Sequence, residues 1–217
     1  MKTPYKYVYK APLQVQEGKQ PAIFLLHGLG SNEHDLFQLV DSFQTNCHIF
    51  SLQGPIAHHP GYAFYTFQEE GKPNQDIFDK VVQVTRGFIA EAMLHFEIDP
   101  EQIYVLGFNQ GAVVAQSLAL VMGNMVRGTV VLSGYLPEFV KTEYNKFPMN
   151  HSHIFISHGE YDFDYPVSWG QDSAAFFEEF GANVTFKLYP DGHGVTQQNL
   201  QDLVSFLAGL MPETNKA

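Results

Sequence analysis

The chain has 217 residues, 45% apolar and 16% charged, which excludes a disordered polymer and makes one domain over 1–217 the expectation. Lys and Arg number 12 and Asp and Glu 23, a net charge of −11, which excludes a nucleic-acid binder that works by neutralising phosphates and disfavours anionic membranes. The single cysteine, Cys47, rules out an internal disulfide and fits a reducing, cytoplasmic location.

Residues 1–6 carry no apolar core of a signal peptide, and no apolar run is long enough to span a membrane. Tyr5 to Ala11 alternates apolar residues with Lys and reads as a half-exposed edge strand. Pro21 to His27 is a continuous apolar run, as in a strand buried on both faces. Asp35 to Phe43 reads as helix and His48 to Leu52 as strand. Gly54 to Asn74, rich in Pro, Gly and His, reads as a long loop. Asp76 to Ile98 places Ile77, Val81, Val84 and Phe88 at helical spacing. Gln102 to Gly107, Gly128 to Ser133, His153 to Ser157 and Asn183 to Tyr189 read as strands. Gln110 to Met122, Ser168 to Phe180 and Gln197 to Leu210 read as helices, and the polar tail 212–217 is expected to fray.

This alternation predicts an α/β fold: a mostly parallel, seven-stranded sheet with helices on both faces and an antiparallel edge at the first strand. No connection near the elbow described next is long enough for a separate lid; Tyr135 to Asn150 is a modest insertion. Ligands in such sheets bind beyond the carboxyl ends of the strands, so the chemistry is expected there.

After the Gln102–Gly107 strand the chain reads Gly107-Phe108-Asn109-Gln110-Gly111-Ala112. This is the G-x-S-x-G nucleophile elbow with asparagine in the serine position. The glycines are needed because so sharp a turn leaves no room for side chains two positions either side of its centre. Gly28-Leu29-Gly30-Ser31 follows the Pro21–His27 strand, and its Leu29 N–H can pair with the Gln110 N–H as an oxyanion hole. His158-Gly159-Glu160-Tyr161-Asp162 and Pro190-Asp191-Gly192-His193-Gly194 follow two later strands. The order elbow, acid, histidine is that of the α/β-hydrolases.

Four segments in this order, Leu26–Leu36, Gly107–Ala112, Ser157–Val167 and Tyr189–Val195, resemble the phospholipase/carboxylesterase family of α/β-hydrolases, which includes acyl-protein thioesterases and small bacterial carboxylesterases. The resemblance runs from about residue 21 to 210. It implies Asp162 as the triad acid, with Asp164 a competitor two residues on, and His193 as the general base. It implies Leu29 and Gln110 as oxyanion donors. It also implies that the stretch carrying Tyr62 and Tyr65 helps wall the substrate pocket, against core packing as the ordinary fate of such aromatics. The expected function is hydrolysis of small carboxylic esters or thioesters. No cofactor is expected and a homodimer is left open.

Asn109 departs from the family pattern. Its amide has no proton that a histidine can remove near neutral pH, so no acyl-enzyme forms on it. The chain then reads as a natural or laboratory-made variant of a serine esterase, as a homologue that binds an ester or acyl ligand without turnover, or, ranked lowest, as one whose Asn109 deamidates to aspartate. The bulk of Gln110 should slow the cyclisation that deamidation needs. Asn tolerates the positive φ of an elbow better than most residues, so the fold should survive. Ser133 lacks the elbow spacing and reads as a structural serine at a strand end; Cys47 precedes a strand rather than following one and reads as a small buried hydrophobe. His58-His59, His151 and His153 form no metal-ligand pattern, and His27 and His158 read as braces for the site loops.

Overall fold

The computed structural model describes residues 3–14, 17–69 and 71–212. The tail expected to fray thus lies outside the described residues, apart from Pro212. Strands β1 (Tyr7–Lys10), β2 (Gln20–Leu26) and β3 (His48–Leu52) are followed by four short ones, β4 (Ile56–His58), β5 (Gly61–Ala63), β6 (Phe67–Glu69) and β7 (Lys72–Pro73). Helix α1 (Gln75–His95), strand β8 (Ile98–Phe108), helix α2 (Gln110–Met122), strand β9 (Gly128–Leu132) and helix α3 (Glu138–Glu143) come next. The described chain closes with β10 (His153–Gly159), α4 (Val167–Glu179), β11 (Asn183–Tyr189) and α5 (Gln197–Leu210).

Seven strands make one sheet in the order β1-β3-β2-β8-β9-β10-β11. All its pairings are parallel except β1 with β3, where Tyr7 faces Leu52 and Lys10 faces Ile49. Alternate side chains of β2 serve two cores, as a strand period of two requires. Ala22, Phe24 and Leu26 pack with α1, α2 and α4 on one face. Ile23 and Leu25 pack with Leu36 to Val40 and with Leu203 and Leu207 of α5 on the other. Asn74 caps α1 by accepting the Ile77 N–H at 3.2 Å. In α2 every residue except Val121 is buried, and its small residues let it lie close against the sheet.

Four local expectations are corrected. Asp35 to Phe43 forms two short 3-10 turns, Asp35–Leu39 and Asp41–Phe43, because Val40 leaves the helical region (φ −129°, ψ 8°). Helix α1 stops at His95, since Phe96 is extended (φ −124°, ψ 153°) and Ile98 already pairs with Gln20 in β8. Gly54 to Asn74 holds two small hairpins, β4–β5 and β6–β7, whose strands of two or three residues are too short to show a period. Ser133 falls just outside β9, at φ +49°. No helix among the described residues is long and apolar enough to cross a membrane.

Candidate active site

The turn from β8 into α2 places Asn109 at φ +53°, ψ −118°. Its glycines are sterically obligatory. A Cβ on Gly107 would collide with the Gly111 carbonyl, and one on Gly111 with the Leu26 carbonyl. The elbow is tied to the neighbouring strand ends: Asn109 N–H donates to Leu132 O at 3.0 Å and Gly111 N–H to His27 O at 3.1 Å.

His27 and His158 both act as braces. His27 donates from Nδ1 to Gly28 O at 2.7 Å and accepts the Gly54 N–H at Nε2 at 2.9 Å, which fixes its neutral tautomer. His158 donates from Nε2 to Tyr165 O at 2.8 Å. Burial pushes both imidazoles below their ordinary value.

The loops after β10 and β11 bring Asp162 and His193 to the elbow. They are pinned together by Glu160 N–H to Tyr189 O at 2.8 Å and Tyr161 N–H to Asp191 O at 2.9 Å. His193 Nδ1 lies 2.8 Å from Asp162 Oδ2. Asp162 Oδ1 accepts the N–H groups of Asp164 and Tyr165, both at 2.9 Å. Burial alone would raise the Asp162 carboxyl, but the Tyr165 N–H and the His193 ring hold it below the ordinary carboxylate value. Asp164, the competing acid, is exposed and reaches only the other ring nitrogen, with Oδ2 3.8 Å from His193 Nε2. The rings of Phe108 and Tyr165 flank His193 with centroids 5.0 and 5.6 Å away.

The Asn109 carboxamide spans the remaining gap. Oδ1 accepts the Leu29 N–H at 3.2 Å and the Gln110 N–H at 2.7 Å, and Nδ2 lies 2.8 Å from His193 Nε2. Two N–H groups on one atom fix which end of the amide is oxygen. The Nδ2 donor then meets the lone pair of an imidazole whose proton is on Nδ1.

Asn109 opens onto a cavity of about 480 Å³ lined by Leu29, Phe67, Phe108, Phe163 and Tyr165, with Ser31, Asp35 and Asp164 as its polar wall. Among the described residues that line it, none is Lys or Arg. Phe67 comes from the aromatic stretch expected to wall the pocket, while Phe108 and Phe163 lie within the elbow and acid segments, whose motifs give no sign that these rings face the cavity.

Tyr62 and Tyr65, expected on the pocket wall, do not line this cavity. Tyr65 is buried between Phe67 and Phe78, with ring centroids 5.3 and 5.0 Å away. Both tyrosines serve the site through their backbones. Tyr62 O accepts the Gly30 N–H and its own N–H reaches Ser31 O, each at 2.8 Å, which holds the Leu29 loop. Tyr65 O accepts Gln110 Nε2 at 2.9 Å. Ser133 and Cys47 are buried, and neither lines the cavity. No cluster of three His, Cys, Asp or Glu among the described residues is placed to hold a metal ion.

A sequence profile of the phospholipase/carboxylesterase family matches residues 13–211. An acyl-protein thioesterase 1 of Candida albicans is 28% identical over 88% of this chain and 92% of its own. A putative hydrolase, MhqD, of Bacillus subtilis is 25% identical over 82% of this chain and 88% of its own. The fold matches that of a Bacillus cereus carboxylesterase with a TM-score of 0.83, covering 95% of both chains at 23% identity.

Proposed function

The chain belongs to the phospholipase/carboxylesterase family of α/β-hydrolases, and from that premise we propose that its site is a carboxylic ester or thioester hydrolase centre whose acyl-transfer step is stalled at Asn109. In this reading His193 is the general base and Asp162 sets its tautomer. Leu29 and Gln110 supply the N–H donors for the oxyanion. The cavity beside Asn109 takes the acyl or alcohol part of a small substrate.

One observation carries the reading: Asn109 Oδ1 sits between the Leu29 and Gln110 N–H groups while Nδ2 faces His193 Nε2. Every group that would act on a substrate is thus engaged by the residue in the nucleophile position. A serine there would leave the two donors free for a substrate carbonyl. It would also present to Nε2 a hydroxyl proton that can be removed as the oxygen attacks. The tetrahedral oxyanion would form between the donors, and the imidazolium would protonate the leaving alcohol or thiol. Water would then repeat the sequence on the acyl-enzyme.

In the chain as it stands, an ester carbonyl must displace Oδ1 to reach the donors, so binding without turnover is the expected behaviour. The test is p-nitrophenyl butyrate hydrolysis by the parent chain, Asn109→Ser, and Asn109→Ser with His193→Ala. The serine variant should exceed the parent by at least about 100-fold and lose that gain with His193→Ala. A serine variant that folds and gains nothing would overturn the assignment.

A further inference from the structure

The Asn109 side chain is itself an amide in the position of a substrate. Its carbonyl oxygen lies 3.2 and 2.7 Å from two N–H donors, and its nitrogen lies 2.8 Å from an imidazole held by Asp162. Amide hydrolysis needs a polarised carbonyl and a base that can return its proton to the leaving nitrogen. Both are aimed at the same three atoms. Asn109 is 9% exposed and borders the open cavity, so water has access.

We infer that the protein hydrolyses its own Asn109 carboxamide, converting residue 109 to aspartate and releasing ammonia. The inference rests on the reading of His193 and Asp162 as a base and its orienting acid. The Nδ2–H bond to His193 Nε2 opens, water oxygen attacks Cγ and gives its proton to the freed Nε2 lone pair, and the carbonyl π pair moves onto Oδ1. That pair then returns, the Cγ–Nδ2 bond breaks, and Nε2 protonates the departing nitrogen. The new carboxylic acid passes its proton to ammonia. The balance is carboxamide plus water giving carboxylate plus ammonium, with no redox partner. The product charge rests on the same two N–H groups, of which Gln110's opens α2, where the helix dipole favours an anion, and aspartate accepts the positive φ as asparagine does.

The usual backbone route is closed by the same geometry. It needs the Gln110 nitrogen to attack Cγ, yet that N–H is bound to Oδ1 at 2.7 Å. The residue is also locked, because its side chain bridges Phe64 N–H and Tyr65 O at 3.0 and 2.9 Å. The two routes differ in product: the cyclic one yields mostly isoaspartate, and direct hydrolysis yields aspartate alone. The processed chain would carry a carboxylate nucleophile at the elbow.

The experiment incubates purified parent protein, His193→Ala and His193→Gln in water enriched in heavy oxygen and follows residue 109 by peptide mass mapping. The expected result is aspartate at 109 carrying one heavy oxygen, with no isoaspartate, formed at least about 100-fold more slowly in both histidine variants. No conversion in the folded parent, conversion at equal rate in both histidine variants, or isoaspartate as the product would each overturn the inference. Ester hydrolysis by Asn109→Ser is independent of this outcome, so failure here leaves the hydrolase reading standing.

Discussion

The His158 imidazole donates to the Tyr165 carbonyl at 2.8 Å, so the end of β10 clasps the loop that carries Asp162. The opposite ring nitrogen, Nδ1, is buried with no partner among the described residues. Protonating it would bury a charge on a nitrogen without a partner, a cost that the Asp162 carboxylate, 3.4 Å from Nε2, offsets only in part. Burial lowers the affinity of both His158 and His27 for a proton below the ordinary value of 6.5. Between their lowered values and 6.5 the unfolded chain therefore binds more protons than the folded one. Stability from these groups is complete above pH 6.5 and is lost as pH falls toward the lowered values. The thermal midpoint should drop between about pH 7 and about pH 5, and His158→Gln, which keeps a donor for Tyr165, should flatten that drop. An unchanged slope in the variant would refute this role.

Asp162 behaves in the opposite range. Its folded value lies below the ordinary 3.8, so its contribution is whole above pH 3.8 and is lost only as pH falls through the lowered value. Asp162→Asn should cost about 1–3 kcal/mol at neutral pH. The gap from the parent should close in strong acid when both are unfolded with urea. A gap that persists there would mean the loss is one of packing rather than of charge.

Two glycines give opposite expectations for the same substitution. Gly111→Ala drives a methyl group into the Leu26 carbonyl and to 2.7 Å from His27 O. It should cost more than about 3 kcal/mol or prevent soluble expression. Gly87→Ala, on α1 with open space around it, should stabilise by about 0.5–1 kcal/mol through helix propensity alone. Denaturant midpoints of the two variants read both effects.

Cys47 is buried, its Sγ lying 3.6 Å from Met211 Sδ, and burial pushes the thiol up to about 12. A thiol so placed is neither accessible nor ionised near neutrality. Ellman's reagent should find no reactive thiol in the native chain and one after denaturation. Rapid native reaction would contradict the placement against α5's end.

Much of this architecture is legible in the amino-acid order. Strands β2, β3, β9 and β10 and the second half of β8 are buried on both faces or nearly so, and this turns them into apolar runs, whereas the edge strand β11 alternates. The elbow and acid segments follow such runs and the histidine segment follows β11, so they converge at the carboxyl ends of neighbouring strands. What could not be read is direction. The residue type at 109 does not say that its carboxamide turns its oxygen toward Leu29 and Gln110. Tyr62 and Tyr65 lie close to the site as expected, but they serve it with carbonyl and N–H groups that every residue type carries, so their aromatic rings misdirect the reading. The short hairpins between Gly54 and Asn74 are set by tertiary contacts, such as the Ser31–Tyr62 bridge, rather than by local periodicity.

The cavity wall has a consequence for what leaves it. Asp35 and Asp164 both line the space in front of Asn109, and none of the described lining residues is Lys or Arg. In a reactivated Asn109→Ser enzyme an ester would enter neutral and its acid product would leave as an anion past two exposed carboxylates, whose field salt screens. Such a rim would be indifferent to uncharged reactants and would oppose the hold of the two N–H donors on the carboxylate that cleavage creates, so product inhibition in that enzyme should be weak at low salt and should rise when either aspartate is neutralised.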